Sequence, residues 1–185
     1  MTGQKNLKRA KLILSLPSFR VMLILLTLGS FLALYNYPGL PDIIPHHFDF
    51  KGRPDAWGSK AFFVGFMLGI SAFLLLSVYG TAWTILLLGE DHISLPHKEY
   101  WLAPERKEAT LRNLLNTLGW IGVCTLLLIL VLMWMTIRAA KETPSDQRLI
   151  GFWPVFIGYL VSVIFLVIRF MLHYQRLPTN HVAGK

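Results

Sequence analysis

Residues 37–60 of this chain, YPGLPDIIPHHFDFKGRPDAWGSK, separate two long apolar runs and decide how the rest is arranged. The segment holds three of the ten acidic residues and two of the six histidines. Proline, glycine, aspartate and histidine at this density do not fit in hydrocarbon, because lipid offers no hydrogen-bond partners to an irregular backbone. We therefore expect this segment to lie outside the membrane, and we look for a functional site there first.

The composition is that of a membrane protein. Hydrophobic residues make up 54% of the 185 positions, and the mean hydropathy is +0.51. A bilayer-spanning helix needs about 20 apolar residues, and the chain has four blocks near or above that length, at about residues 19–37, 61–88, 114–137 and 149–168. We expect an all-α polytopic membrane protein with a single four-helix transmembrane domain over residues 1–185. The lipid bilayer is then its first partner.

The distribution of lysine and arginine predicts the orientation of these spans. With both termini in the cytoplasm, twelve of the 18 basic residues fall on the inside, including those of an inner insert at residues 89–113. The remaining six fall in outside loops, so the positive-inside rule favours N-in/C-in and an outer insert at residues 37–60. The same rule explains the net charge of +8, and we expect no nucleic-acid partner.

The basic leader and the short apolar run that follows it also fit a signal peptide. No small-x-small cleavage site follows Leu34, so we expect the first span to be retained.

The spans themselves exclude several functions. No charged residue or histidine falls in the hydrocarbon core of any predicted span, whereas ion-coupled transporters and proton relays use such groups at membrane depth. The chain also has no phosphate-binding glycine loop with Lys-Ser/Thr, no HExxH and no GxSxG motif. An enzyme is therefore not the favoured interpretation.

The outer insert contains the best candidate site. In an extended segment His47 and Asp49 share a face, with His46 on the opposite side, and a tight turn at residues 50–53 would bring Asp55 back towards the pair. One imidazole and two carboxylates could hold a divalent metal, the one cofactor this pattern suggests, or perform acid-base chemistry. The favoured alternative is structural, with Asp55 capping the next helix and His47 bonded to a backbone carbonyl.

Lys60 begins the helix that follows the outer insert. The helix dipole disfavours a cation at this end, so we expect an anionic neighbour, either Asp55 or a lipid phosphate. Snorkelling of the lysine to the outer headgroups is the alternative.

Two further sets of residues give weaker hypotheses. Gly65 and Gly69 form a small-xxx-small pair that could let another helix approach closely. The inner insert could form a cytoplasmic site, although its spacing fits no metal pattern and a solvated loop is the favoured alternative. The candidate residues there are His97, Glu99, Trp101, Glu105 and Arg106.

The outer insert resembles the signature of a bacterial membrane domain of unknown function, which forms the N-terminal part of SdpI-type immunity proteins against the sporulation-delaying toxin. The inner-insert sequence LPHKEYWLAPERKEATL also resembles stand-alone members of that family. The elements of the first resemblance are Leu40-Pro41, Ile44-Pro45, His47-Phe48, Gly52, Asp55 and Ser59-Lys60.

The resemblance implies a multi-pass protein of the bacterial plasma membrane that confers toxin immunity or sequesters a regulator. Full SdpI-type proteins carry further spans, and the family supplies no agreed catalytic residues to carry over. Three hypotheses follow. In the first, the outer insert recognises a peptide toxin or envelope component. In the second, the outer insert is the metal site of a membrane enzyme. In the third, the chain is a structural subunit that packs on another membrane protein through Gly65 and Gly69.

Overall fold

The computed structural model describes residues 2–143 and 147–177. Six α-helices and one two-stranded antiparallel sheet form the described part. The elements are α1 (Thr2–Ser15), α2 (Pro17–Asn36), β1 (Ile43–Phe48), β2 (Pro54–Ser59), α3 (Lys60–Leu88), α4 (Lys98–Trp101), α5 (Lys107–Ala140) and α6 (Phe152–Gln175), with 3-10 turns at Tyr37–Gly39 and Glu90–His92.

Four of these helices are long and apolar enough to cross a membrane. They are α2 with the turn that follows it (Pro17–Gly39), α3, α5 and α6. This agrees with the four spans expected from the sequence. The helices nevertheless extend past the apolar blocks: α5 has 34 residues, and α6 continues to Gln175. Helical hydrogen bonding does not stop where hydropathy falls, so the blocks mark the apolar part of each helix rather than its ends.

The all-α expectation was incomplete, because residues 43–59 fold as a β-hairpin. Within this segment the side chains of β2 alternate between half-buried and exposed, which is the pattern of a sheet with one covered face. The segment is short and interrupted by two prolines and two glycines, so its strand signal is weak. We call Ile43–Ser59 the hairpin, the end of the bundle that carries it the hairpin end, and the opposite end the termini end.

The helix starts and stops follow local chemistry. Pro17 occupies the first turn of α2, where its missing N–H costs nothing. The Ser59 hydroxyl accepts a hydrogen bond from the Phe62 N–H at 3.2 Å and caps α3. This role had been considered for Asp55, which does not perform it. Gly89, at φ +83°, ends α3.

The bundle is packed around α5. α2 and α5 run side by side towards the hairpin end, while α3 and α6 return towards the termini end. One core cluster lies near the termini end, and a second lies near the hairpin end. The first includes Leu16, Met22, Tyr79, Leu115 and Leu126, and the second includes Ala33, Ile44, Phe63, Met133 and Ile137.

Close helix contacts use different glycines from the pair singled out in the sequence. A Cβ at Gly119 would overlap the Ser18 hydroxyl and lie 2.9 Å from the Tyr79 hydroxyl. A Cβ at Gly65 or Gly69 would meet nothing within 4 Å. Within the described chain, Gly119 therefore permits close packing, whereas Gly65 and Gly69 lie on an open face of α3.

Candidate functional site

The hairpin is closed by a turn that Asp49 organises. The backbone N–H of Asp49 donates to the carbonyl of Arg53 at 2.7 Å, and the N–H of Gly52 donates to the carbonyl of Asp49 at 2.9 Å. Gly52 has φ +75°, a conformation that glycine adopts without steric cost. The pairing runs from Ile43 opposite Ser59 to Phe48 opposite Pro54, with irregularities around His47.

The Asp49 carboxylate belongs to this turn. Its Oδ1 accepts the backbone N–H groups of Lys51 and Arg53, each at 2.8 Å, and its Oδ2 accepts Nε of Arg53 at 2.9 Å. The hydrogen bond from the Arg53 backbone is the largest influence and holds the pKa of Asp49 below its ordinary value, with the Arg53 side chain acting in the same direction. Both oxygens of the Asp49 carboxylate therefore already have hydrogen-bond partners within the turn.

His47 and Asp55 meet across the two strands. Nδ1 of His47 lies 2.5 Å from Oδ1 of Asp55. Both side chains are exposed, at 68% for the histidine and 44% for the aspartate. The carboxylate fixes the orientation of the imidazole and leaves Nε2 as the ring nitrogen available to a ligand. This pair can donate or accept a hydrogen bond at the surface of the hairpin.

His46 lies on the other face of the strand. Its ring packs edge-on against Phe62, with 6.4 Å between ring centroids. A Cβ at Gly58 would come within 3.0 Å of its Nδ1. The candidate residues of the outer insert therefore contact different partners instead of forming one site. Among the residues that the structure describes, no group of three or more His, Cys, Asp or Glu side chains is placed to hold a metal ion.

Lys60 has an anionic neighbour, but the partner is Asp42 rather than Asp55. Its Nζ lies 3.1 Å from Oδ1 of Asp42 and donates to the carbonyl of Leu40 at 2.9 Å. The ammonium also lies 5.2 Å from the centre of the Tyr37 ring. The backbone N–H of Lys60 donates to the carbonyl of Asp42, so the strand register places the lysine beside the residues just before β1. Lys60 therefore ties the segment just before β1 to the start of α3.

The hairpin is docked on the helices at its base and at its tip. At the base, Ile44 is fully buried in the core cluster of the hairpin end. At the tip, the backbone N–H of Leu149 donates to the carbonyl of Gly52 at 2.8 Å. The indole N–H of Trp153 donates to the carbonyl of Phe50 at 3.3 Å, and the two rings pack with centroids 4.6 Å apart. These contacts fix the hairpin relative to the bundle.

The outward face of the hairpin combines apolar and polar side chains. Ile43 is 61% exposed and Trp57 is 52% exposed. They lie on the same strands as the His47–Asp55 pair, which is also exposed. We call Ile43, His47, Asp55 and Trp57 the hairpin face.

The candidate residues of the inner insert mainly make contacts that hold this segment in place. The Trp101 indole N–H donates to the carbonyl of Tyr174 at 3.2 Å, which ties α4 to the end of α6. Arg106 donates to the carbonyl of Tyr100 at 2.9 Å and stacks on its ring. Glu99 and Glu105 are exposed, and His97 has φ +52° at the start of α4.

Sequence reasoning missed the partners that hold these elements. Lys107 forms an ion pair with Glu90 at 2.7 Å, across the inner insert. At the hairpin end, the indole of Trp153 reaches the hairpin tip. An aromatic pair at residues 152–153, at the same predicted edge of the membrane as the outer insert, was the available signal for this second contact.

One family matches part of this chain. It is described as Domain of unknown function (DUF1648), and it matches residues 22–72. The matched region covers most of α2, the whole hairpin and the first part of α3. No curated protein and no solved structure matches the chain. The expected domain of unknown function is therefore supported, while nothing in these comparisons connects the chain to the SdpI-type proteins.

Proposed function

We propose that this chain is a multi-pass protein of the bacterial plasma membrane, and that its hairpin recognises a peptide toxin or envelope component outside the cytoplasm. The observation that carries the proposal is a docked hairpin with an exposed face. A surface that is already ordered before binding loses less conformational entropy when the ligand arrives. The hairpin is held at Ile44, Gly52 and Lys60 and meets this condition.

The chemistry of the hairpin face suits a peptide. Trp57 and Ile43 offer exposed apolar surface, and buried aromatic residues commonly dominate binding energies at protein interfaces. The adjacent His47 and Asp55 can pair with backbone or polar side-chain groups of a ligand. Recognition is favoured over metal-dependent catalysis because Asp49 is occupied by Arg53, which leaves only two of the three expected ligands together.

The proposal requires the N-in/C-in orientation, which the distribution of basic residues supports. A single cysteine at Arg53, in a Cys124→Ser background, tests it in intact cells. We expect a membrane-impermeant thiol reagent to label this position and to leave a cysteine at Lys5 unlabelled. The reverse labelling pattern would place the hairpin in the cytoplasm and refute the proposed role.

Toxin immunity is the specific form of this function that the sequence resemblance supports. Expression of the chain in a strain sensitive to the sporulation-delaying toxin should restore growth, and Trp57→Ala should remove the protection at an unchanged membrane level. Leu28→Ala is the matched control, since Leu28 is also exposed but lies on the side of α2. No protection by the wild-type chain would exclude this toxin as the ligand.

A second candidate function is that of a structural subunit. The open face of α3 at Gly65 and Gly69 supports it, because two small residues one turn apart allow close approach of a helix from another chain. The experiment is co-purification from membranes. A partner that is retained by the wild-type chain and lost with Gly65→Leu would favour this function.

A further inference from the structure

A cleft of about 840 Å³ lies between α5 and α6 near the termini end. The two helices touch on either side of it. Towards the hairpin end, the hydroxyls of Thr125 and Tyr159 lie 3.3 Å apart. At the termini end, the buried Tyr174 donates from its hydroxyl to the carbonyl of Thr110 at 3.4 Å. The volume is within the range of small-molecule sites, about 300–1,000 Å³.

The part of the cleft nearest the termini end is basic and polar. Arg169 and Arg176 line it, together with Asn113 and Asn116, and no acidic residue of the described chain does. Neither arginine forms an ion pair with a described residue. The Asn116 side-chain oxygen accepts the backbone N–H of Ser18 at 3.3 Å, which orients the amide of Asn116 within the cleft.

The part deeper in the bundle is apolar. Trp120, Phe165 and Leu166 line it, and Phe165 is 61% exposed on the side of the bundle. Arg169 lies one helical turn beyond Phe165 and six residues before the end of α6, or about 9 Å along the axis at 1.5 Å per residue. Its side chain is long enough to bring the guanidinium to the headgroup level while its methylene groups stay in apolar surroundings.

We propose that this cleft binds a phospholipid with an anionic headgroup, taken from the leaflet at the termini end. The phosphate pairs with Arg169 and Arg176, with the amides of Asn113 and Asn116 as further donors. The acyl chains lie along Trp120 and Phe165. Arg169 and Arg176 have no anionic partner among the described residues, so a headgroup with a net negative charge complements them. A zwitterionic headgroup is less suitable, because it brings its own positive charge close to both arginines.

Native mass spectrometry of the purified full chain tests the proposal. Phosphatidylglycerol should bind as a discrete one-to-one adduct, more tightly than phosphatidylcholine. A basic residue near an anionic surface contributes about 1 kcal/mol, so Arg169→Gln with Arg176→Gln should weaken phosphatidylglycerol binding about 30-fold, since 1.4 kcal/mol is about tenfold. The double variant Arg169→Lys with Arg176→Lys keeps both charges and should retain most of the binding.

Two controls separate the cleft from a general attraction of lipid to the basic end. Lys8→Gln with Arg9→Gln removes two charges at the same end but outside the cleft and should leave the adduct unchanged; an equal loss would overturn the proposal. Thr117→Trp fills the cleft with all charges kept and should reduce binding, so an unchanged adduct would also overturn it. Inorganic phosphate should not displace the lipid. Displacement at millimolar phosphate would identify a free-anion site instead.

Discussion

The backbone N–H of Leu149 donates to the carbonyl oxygen of Gly52 at 2.8 Å. This hydrogen bond joins the tip of the hairpin to the segment that leads into α6, and the packing of Phe50 on Trp153 reinforces it. The orientation of the hairpin face therefore depends on the last of the long helices. A change at either residue should loosen the tip without disturbing the base at Ile44.

Gly52→Ala should loosen the docked tip. Alanine at φ +75° is strained by about 1–2 kcal/mol, and the added Cβ would lie 2.9 Å from the carbonyl oxygen of Leu149. We expect faster amide hydrogen exchange at Leu149 and across residues 48–53. Gly39→Ala is the control, since a Cβ there meets nothing within 4 Å. Unchanged exchange in Gly52→Ala would contradict the role assigned to this contact.

The His47–Asp55 pair should contribute little to stability. Ion pairs between exposed side chains typically contribute about 0.2–1 kcal/mol, and both partners here are exposed. A double-mutant cycle with His47→Ala and Asp55→Ala, followed by unfolding in detergent, should give a coupling energy below about 1 kcal/mol. A coupling energy of several kcal/mol would show that the pair stabilises the fold. Any loss of function in the His47→Ala or Asp55→Ala variant would then be explained by lost stability rather than by a lost ligand contact.

The contribution of Asp49 should depend on pH. Its pKa is lower in the folded protein than the ordinary value of 3.8, because Arg53 stabilises the carboxylate. The stability gained is therefore fully present above the unfolded pKa and is lost as the pH falls through the lower folded pKa. Wild type should melt at a higher temperature than Asp49→Asn at pH 6, and the two melting temperatures should converge as the pH falls below about 4. A constant difference across this range would refute the assignment.

Lys60 should matter more to stability than its partner Asp42. Lys60→Met removes the donor to the carbonyl of Leu40 from a side chain that is only 19% exposed, and we expect a loss of about 1–2 kcal/mol in the free energy of unfolding. Asp42 is 94% exposed, so Asp42→Asn should cost less than about 0.5 kcal/mol. Equal losses in chemical denaturation of the two variants would mean that the ion pair, rather than the carbonyl contact, provides the stability.

Gly119→Ala and Gly65→Ala should have opposite effects on the stability of the protein. We expect the first to lower the free energy of unfolding and the second to raise it. The first adds a methyl group where the Ser18 and Tyr79 hydroxyls already lie, and such overpacking costs about 1–3 kcal/mol. The second adds a methyl group on an open helix face, where alanine is favoured over glycine by up to about 1 kcal/mol. Thermal unfolding of both variants in the same detergent checks this. Destabilisation by Gly65→Ala in the isolated chain would show a contact within this chain at that position.

Several features of the hairpin could be expected from local sequence. A turn at residues 50–53 follows from Gly52 and the short polar run around it, and the structure has its turn there. The partners of the side chains in the hairpin could not be predicted in the same way. Whether Asp49 binds Arg53 or joins His47 depends on how the irregular pairing near His47 directs each side chain, and the sequence does not encode that register in any simple pattern.

The sequence by itself determined that the chain has four long apolar segments and that a polar segment separates the first two, since hydropathy and span length are properties of consecutive residues. Only the tertiary structure decided which side chains meet. It placed Asp42 beside Lys60 and Leu149 against Gly52, and it brought Arg169 and Arg176 into one cleft with two asparagines of α5. The physical reason is that these contacts join residues from different elements, so they depend on strand register and helix packing, which consecutive residues do not specify.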